Sequence, residues 1–239
     1  MQLKYLFLFL FPLVAYSQNG KHELWDKELI KYVSIDGKVN YKAWKNDTVG
    51  LIQYLNYLKL NPPQKNWTKE EQMAYWINAY NAFTVYLILS HYPVKSIKEI
   101  GGKIPFVNSS WDIKFIHIGT ENLDLNNIEH GKLRKSFNDA RIHMALVCAS
   151  YSCPILRNEA FSANKLNAQL DEQVRLFLND SKRNQINSNV STISMIFKWY
   201  ASDFKTYGGV KSFINLYTSN KLTRSTKLNY MEYNWNLNE

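Results

Sequence analysis

The stretch from Thr68 to Pro93 constrains the fold of this chain most strongly. Thr68-Lys69-Glu70-Glu71 is a capping box. The threonine oxygen accepts from the Glu71 amide, and the glutamate reaches back to the Thr68 amide. Beyond the box, Met73, Trp76, Ile77, Tyr80, Phe83, Thr84, Leu87 and Ile88 put apolar bulk around almost the whole circumference of a helix. The helix is expected to stop at His91-Tyr92, because the residue before Pro93 resists helical geometry. A helix apolar on every side has to be buried, so the rest of the chain is expected to wrap around it. Two side chains break that pattern. Asn78 and Asn81 are three apart and share a face. A buried amide without partners costs about 1–3 kcal/mol. The pair is therefore expected either to bridge to a neighbouring loop or strand, or to orient a histidine or a substrate carbonyl. In the second case Tyr80 and Trp76 line the same neighbourhood.

Around this helix the sequence alternates less clearly. Helical spacing covers His22 to Val33 and Val49 to Leu58, with a turn at Asp36-Gly37 and a short extended piece at 39–41. Trp111 to Ile118 reads as a strand returning through Gly119-Thr120 to Leu123. A helix from Asp124 carries Ile128, Glu129, His130, Leu133 and Phe137. Ile142 to Val147 reads as a buried strand, and Ser162 as the cap of a helix reaching Asn179-Asp180. Thr192 to Phe197 reads as a strand, Gly208-Gly209 opens a last helix, and 230–237 forms a strand or a docked tail. Helices and strands mix without regular βα alternation. The expected fold class is α+β: a single helix-rich domain with a long central helix packed on a mostly antiparallel sheet. The expected organisation is a leader at 1–17, an N-terminal helical segment at 18–66 that packs on the main domain, and the main domain at 67–239.

The leader is read from Met1-Gln2-Leu3-Lys4, an apolar run from Tyr5 to Val14, and Ala15-Tyr16-Ser17 with small residues at its first and third positions. This is the pattern of a secretory signal peptide. The run is too short for a confident membrane span, and no stable membrane insertion is expected. The expected location is exported, in a bacterial periplasm or outside the cell. The net charge of +9 is scattered, with no basic stripe and no nucleic-acid-binding module, so nucleic acid is excluded as a partner. A peptide or a cell-envelope polymer is the expected partner. No cofactor and no metal are expected. Oligomeric state is not legible.

The chemistry concentrates where the only two cysteines stand, in Arg141-Ile142-His143-Met144-Ala145-Leu146-Val147-Cys148-Ala149-Ser150-Tyr151-Ser152-Cys153-Pro154. Outside the cytoplasm, two close cysteines tend to oxidise, and a disulfide across this short loop is one reading. A nucleophilic thiol is the other, since a thiol needs a base or a positive neighbour and His143 lies in the same segment. On that reading Cys153 is the nucleophile. It follows Ser152 at the mouth of the turn, whereas Cys148 closes an apolar run and is expected to pack. His143 or His130 is the base. Glu129 adjoins His130, but neighbours on a helix diverge by about 100° and cannot both face one point. Asp203 is expected to cap the turn after Trp199-Tyr200. The other reading of Asp203 is a carboxylate that orients a histidine.

The chain resembles the family of unknown function DUF547. The residues that carry the resemblance are Ala74-Tyr75-Trp76-Ile77-Asn78-Ala79-Tyr80-Asn81-Ala82-Phe83, Asn127-Ile128-Glu129-His130, the stretches from Arg141 to Ser150 and from Ser152 to Leu156, Glu159-Ala160-Phe161, Phe197-Lys198-Trp199-Tyr200 with Asp203-Phe204, and the tail Tyr233-Asn234-Trp235-Asn236-Leu237-Asn238. The family tail usually reads Tyr-Asp-Trp, and here Asn234 stands at the acidic position. The resemblance implies a family and no activity.

The expected function is a cysteine-dependent hydrolase or acyl transferase acting on peptide or amide bonds. The catalytic candidates are Cys153, His143, His130 and Asn78. The binding candidates are Asn81, Tyr80, Trp76, Glu129, Cys148 and Ser152. The alternative is a non-enzymatic periplasmic peptide- or glycan-binding domain with a Cys148–Cys153 disulfide. Thiol–disulfide exchange is a weaker third option, because the spacing departs from Cys-x-x-Cys.

Overall fold

The computed structural model describes residues 22–102 and 109–239. The expected leader at 1–17 lies outside them. Four helices come first: α1 (Glu23–Tyr32), α2 (Tyr41–Asn46), α3 (Val49–Leu60) and α4 (Lys69–His91). The turn between α1 and α2 needs its glycine. Gly37 sits at φ +79°, and a Cβ there would run into the Ile155 side chain. The extended piece is short: Val39 bridges Val33, and α2 starts two residues later on the Asn40 cap. The sequence missed α2 because six residues are too few to display a helical period.

The capping box of α4 forms as read, with Glu71 N–H donating to Thr68 Oγ1 at 3.1 Å and Thr68 N–H donating to Glu71 Oε2 at 2.8 Å. Helix α4 runs for 23 residues, 17 of them buried. It packs on α2, on α3 and on a π-helix at Asn127–Arg134. One hydrophobic core joins α1 to α4 with the π-helix and the cysteine turn.

The remaining elements are β1 (Ile116–Ile118), β2 (Glu121–Leu123), α5 (Lys135–Phe137), α6 (Leu166–Asn179), β3 (Val190–Ile193), α7 (Ile196–Trp199), α8 (Val210–Tyr217) and β4 (Lys227–Tyr230). The fold is helix-rich α+β. The sheet differs from expectation: β1 and β2 form a two-stranded antiparallel ribbon, and β3 pairs with β4 in a separate parallel ribbon. Of the predicted strands, Trp111–Ile118 is a strand only at Ile116–Ile118, and most of Ile142–Val147 is helical turn. Ser110–Asp112 is a 3₁₀ turn before β1, and Ala140–Met144 is a 3₁₀ helix where a buried strand was expected. The reason lies in packing. Ala140 and Met144 enter a second core, with Val174, Phe177, Phe197, Phe204 and Phe213. Ile142, Leu146 and Val147 enter the first core. A segment buried on both sides between two cores shows a continuous apolar run, and such a run does not reveal its period.

Candidate functional site

The seam between the two cores holds a cavity of about 220 Å³. Its lining includes Leu146 from the first core and Ile196 from the second, together with His143, Cys148, Cys153 and Glu129. The 3₁₀ helix delivers His143, and the chain then turns sharply after Cys148. Ala149 takes φ +57°, a left-handed conformation uncommon for a residue with a side chain. The C-terminal tail fixes that turn from outside. Tyr151 N–H donates to Asn236 O at 2.7 Å, Ser152 N–H to Asn234 O at 3.2 Å, and Asn238 N–H to Ala149 O at 3.2 Å. Ser152 Oγ accepts from Asn234 N–H at 2.9 Å, so Ser152 serves the tail. The Asn234 carboxamide oxygen accepts from Asn236 N–H at 3.0 Å, which an aspartate at that position would also do.

Both cysteines are free thiols, with their sulfurs 2.8 Å apart. Their environments differ. Cys153 is buried, and burial together with the adjacent Cys148 pushes its thiol well above the ordinary range. Cys148 is half-buried. Burial would raise it too, but hydrogen bonds from Cys153, Ser150 and Tyr233 outweigh burial and bring it down to about 7. The Tyr233 hydroxyl is 3.3 Å from Cys148 Sγ and accepts from Ser150 Oγ at 3.1 Å. Burial holds Tyr233 in its protonated form, so it donates towards the sulfur. The expectation that Cys153 is the exposed, activated sulfur and Cys148 the packed one is reversed. The turn folds back on itself and covers Cys153.

His143 lies under the ring of Tyr200, stacked at 3.9 Å between centroids. Its Nε2 meets Asp203 Oδ2 at 2.9 Å. Asp203 also takes a two-pronged contact from Arg134, at 2.6 Å from Nε and 2.7 Å from Nη2. The His143 hydrogen bond and then Arg134 hold the Asp203 carboxyl far below the usual range. Asp203 makes no cap for the 3₁₀ helix at Ala201–Tyr207 and instead orients the imidazole. A carboxylate on Nε2 fixes the proton there, which leaves Nδ1 of the neutral ring as the basic nitrogen.

The remaining candidates divide. Tyr80 lines the cavity, and its hydroxyl accepts from Trp111 Nε1 at 3.2 Å. Glu129 lines it as well and is buried. His130 points away, partly exposed, with Nδ1 3.0 Å from Arg134 Nη1, and it is not among the cavity's lining residues. Trp76 is also outside that lining, and Lys132 lies over its ring at 5.3 Å. The two asparagines are structural bridges. Asn78 Nδ2 donates to Phe161 O at 2.8 Å, and its Oδ1 accepts from Phe161 N–H at 3.0 Å. Asn81 spans Ala145 O at 2.9 Å and Val147 N–H at 2.9 Å. With both ends of each amide engaged by backbone, Asn78 is not placed to serve catalysis. Asn81 clamps the segment between His143 and Cys148 onto α4. Sequence reasoning missed Trp111, Tyr200, Tyr233, Trp235 and Arg134 as neighbours of the site. Tyr200, Tyr233 and Trp235 had membership in the family motifs as their signal, and Trp111 and Arg134 had none.

Among the described residues, no group of three or more histidine, cysteine, aspartate or glutamate side chains is arranged to hold a metal ion. No described helix is long and apolar enough to cross a membrane. Residues 64–178 match the family described as a protein of unknown function, DUF547. No curated protein and no solved structure matches the chain.

Proposed function

We propose that this chain, whose residues 64–178 form a DUF547-family domain, is an exported cysteine-dependent hydrolase or acyl transferase acting on peptide or amide bonds. Cys148 is the nucleophile and His143 the base. One observation carries this reading. A half-buried thiol brought down to about 7 shares a cavity with an imidazole whose far nitrogen is held by a carboxylate. Thiolate, base and orienting acid are the three parts of nucleophilic acyl transfer.

In the first half-reaction the Cys148 thiolate attacks the substrate carbonyl carbon. A C–S bond forms, and the carbonyl oxygen takes the negative charge. The Tyr233 hydroxyl, already a donor beside the sulfur, is the side-chain group placed to stabilise that oxygen. Collapse breaks the C–N bond, and the amine leaves with the proton carried on His143 Nδ1. In the second half-reaction water or an acceptor amine gives a proton to Nδ1 and attacks the thioester, which returns Cys148 as thiolate. Asp203 stays ionised throughout and stabilises the imidazolium. A peptide or a cell-envelope polymer fits the class of substrate.

The test is thiol counting. Iodoacetamide should label one cysteine of the unreduced protein far faster than free cysteine at pH 7, and Cys148→Ala should abolish the fast phase. A slow, ordinary rate at Cys148 would refute the reading. The 2.8 Å approach of the sulfurs favours one alternative: in an exported protein the pair closes to a disulfide that stiffens a peptide- or glycan-binding domain. In that case no thiol labels before reduction.

A further inference from the structure

The mouth of the same cavity is built from aromatic rings. Trp111 meets Trp235 edge-on at 5.9 Å, and Trp199 stacks on Trp235 at 5.9 Å. Tyr233 lies 4.8 Å from Trp199 and 4.6 Å from Trp235. All four rings line the cavity with Glu129. All four come from segments distant in sequence from the cysteine turn, and the docked tail brings two of them to it.

Glu129 is the unusual member. It is 5% exposed, and its one ion-pair contact among the described residues is His130 Nδ1 at 4.0 Å. Arg134, the nearby guanidinium, hydrogen-bonds Asp203 and attracts Glu129 only across space, and the Tyr200 hydroxyl is the hydrogen-bond partner of Glu129. A carboxylate removed from water with no lysine or arginine in direct contact is only partly compensated, and a cation entering beside it recovers more of that cost. Aromatic faces attract the same charge. The rings already do so on one side: Lys98 Nζ lies 4.9 Å from the centre of the Trp235 ring, and Lys98 is outside the cavity lining.

We infer that the cavity is a binding site for a small ammonium group, held by the Glu129 carboxylate within the Trp111, Trp199, Tyr233 and Trp235 rings. The inference deepens the acyl-transfer reading by naming the substrate class, an amine or an amide that carries a free amine. An anionic group would meet both the carboxylate and the ring faces unfavourably, and a neutral sugar could offer Glu129 hydroxyl hydrogen bonds but no neutralising charge.

The experiment uses the full chain with Cys148→Ala, so that binding is read without chemistry. Tryptophan fluorescence and calorimetry follow titration with n-butylammonium, with n-butanol as the neutral probe of equal shape and N-acetylglucosamine as the sugar probe. The expected result is saturable quenching by n-butylammonium at least tenfold tighter than by n-butanol. Glu129→Gln in the same background should erase that preference. If Glu129→Gln does not fold, Trp235→Leu serves instead and should weaken n-butylammonium more than n-butanol. Equal binding of amine and alcohol, a preference that survives Glu129→Gln, or saturation by the sugar alone would overturn the inference. Ammonium binding with an unreactive wild-type Cys148 would leave this inference standing while the acyl-transfer reading fails.

Discussion

Cys153 Sγ lies 2.8 Å from Cys148 Sγ and accepts the Cys148 backbone N–H at 3.0 Å. The buried sulfur is therefore the partner that sets the reactivity of the half-buried one. Cys153 keeps its proton and donates it towards Cys148. The alkylation rate of Cys148 should rise with pH around a midpoint of about 7. In Cys153→Ala the midpoint should move up towards the ordinary thiol value of about 8.5, with the fast label still on Cys148. Rate against pH, with the labelled peptide identified by mass, checks both statements. An unmoved midpoint would show that Cys153 does not control its neighbour.

The hydrogen bond between His143 and Asp203 predicts a loss of turnover without a loss of fold. Asp203→Asn frees the imidazole to adopt the wrong tautomer. It should lower hydrolysis of an activated ester by about 10²–10⁴-fold. His130→Ala, at a side chain partly exposed outside the cavity, should change the rate little. Steady-state kinetics alongside circular dichroism separates these outcomes. A large effect at His130 would contradict the assignment of the base.

Asn81 should behave as a structural clamp. Asn81→Ala orphans a buried carbonyl at Ala145 and a buried amide at Val147. At about 1–3 kcal/mol for each of the two unsatisfied groups, the unfolding temperature should fall by roughly 5–20 °C. Asn78→Ala should do the same through Phe161. Calorimetry of the two variants reads this directly, and unchanged unfolding temperatures would count against it.

Ala149 sits in the left-handed region directly after the proposed nucleophile. Ala149→Gly should be tolerated to within about 1 kcal/mol, the relief of φ offsetting the lost methyl and the added chain entropy. Ala149→Val should cost about 2 kcal/mol or more, because a β-branched residue resists that conformation in a buried turn. Denaturant unfolding ranks the three chains, and equal stability for valine would refute the strain.

Acid should loosen the protein through Glu159. Burial raises this carboxyl, but hydrogen bonds from Lys165, Arg157 and Gln169 prevail and lower it to about 2. A carboxyl depressed in the folded state contributes stability above its unfolded value of about 4.3, and that stability is lost as pH falls towards 2. Unfolding temperature measured from pH 6 to pH 2 should fall across this window. The fall should be shallower in Glu159→Gln.

What the residues alone determined is the local physics. The Thr68 box, the aromatic and aliphatic circumference of α4, and the glycines at 37 and 208–209 specify their structures through contacts within a few positions, and each formed as read. The cysteine pair and His143 also stood out, because thiols and an imidazole in one short segment carry chemistry wherever they lie. Tertiary structure decided the rest. Whether 140–147 coils or extends depends on two cores that meet only after the chain has folded. How far Cys148 is activated depends in part on a tail more than 80 positions away. The choice between cap and imidazole partner for Asp203 rests on a contact across 60 positions. The direction of a pKa shift and the occupant of a hydrogen bond are set by neighbours in space, and for these groups the neighbours are remote in sequence.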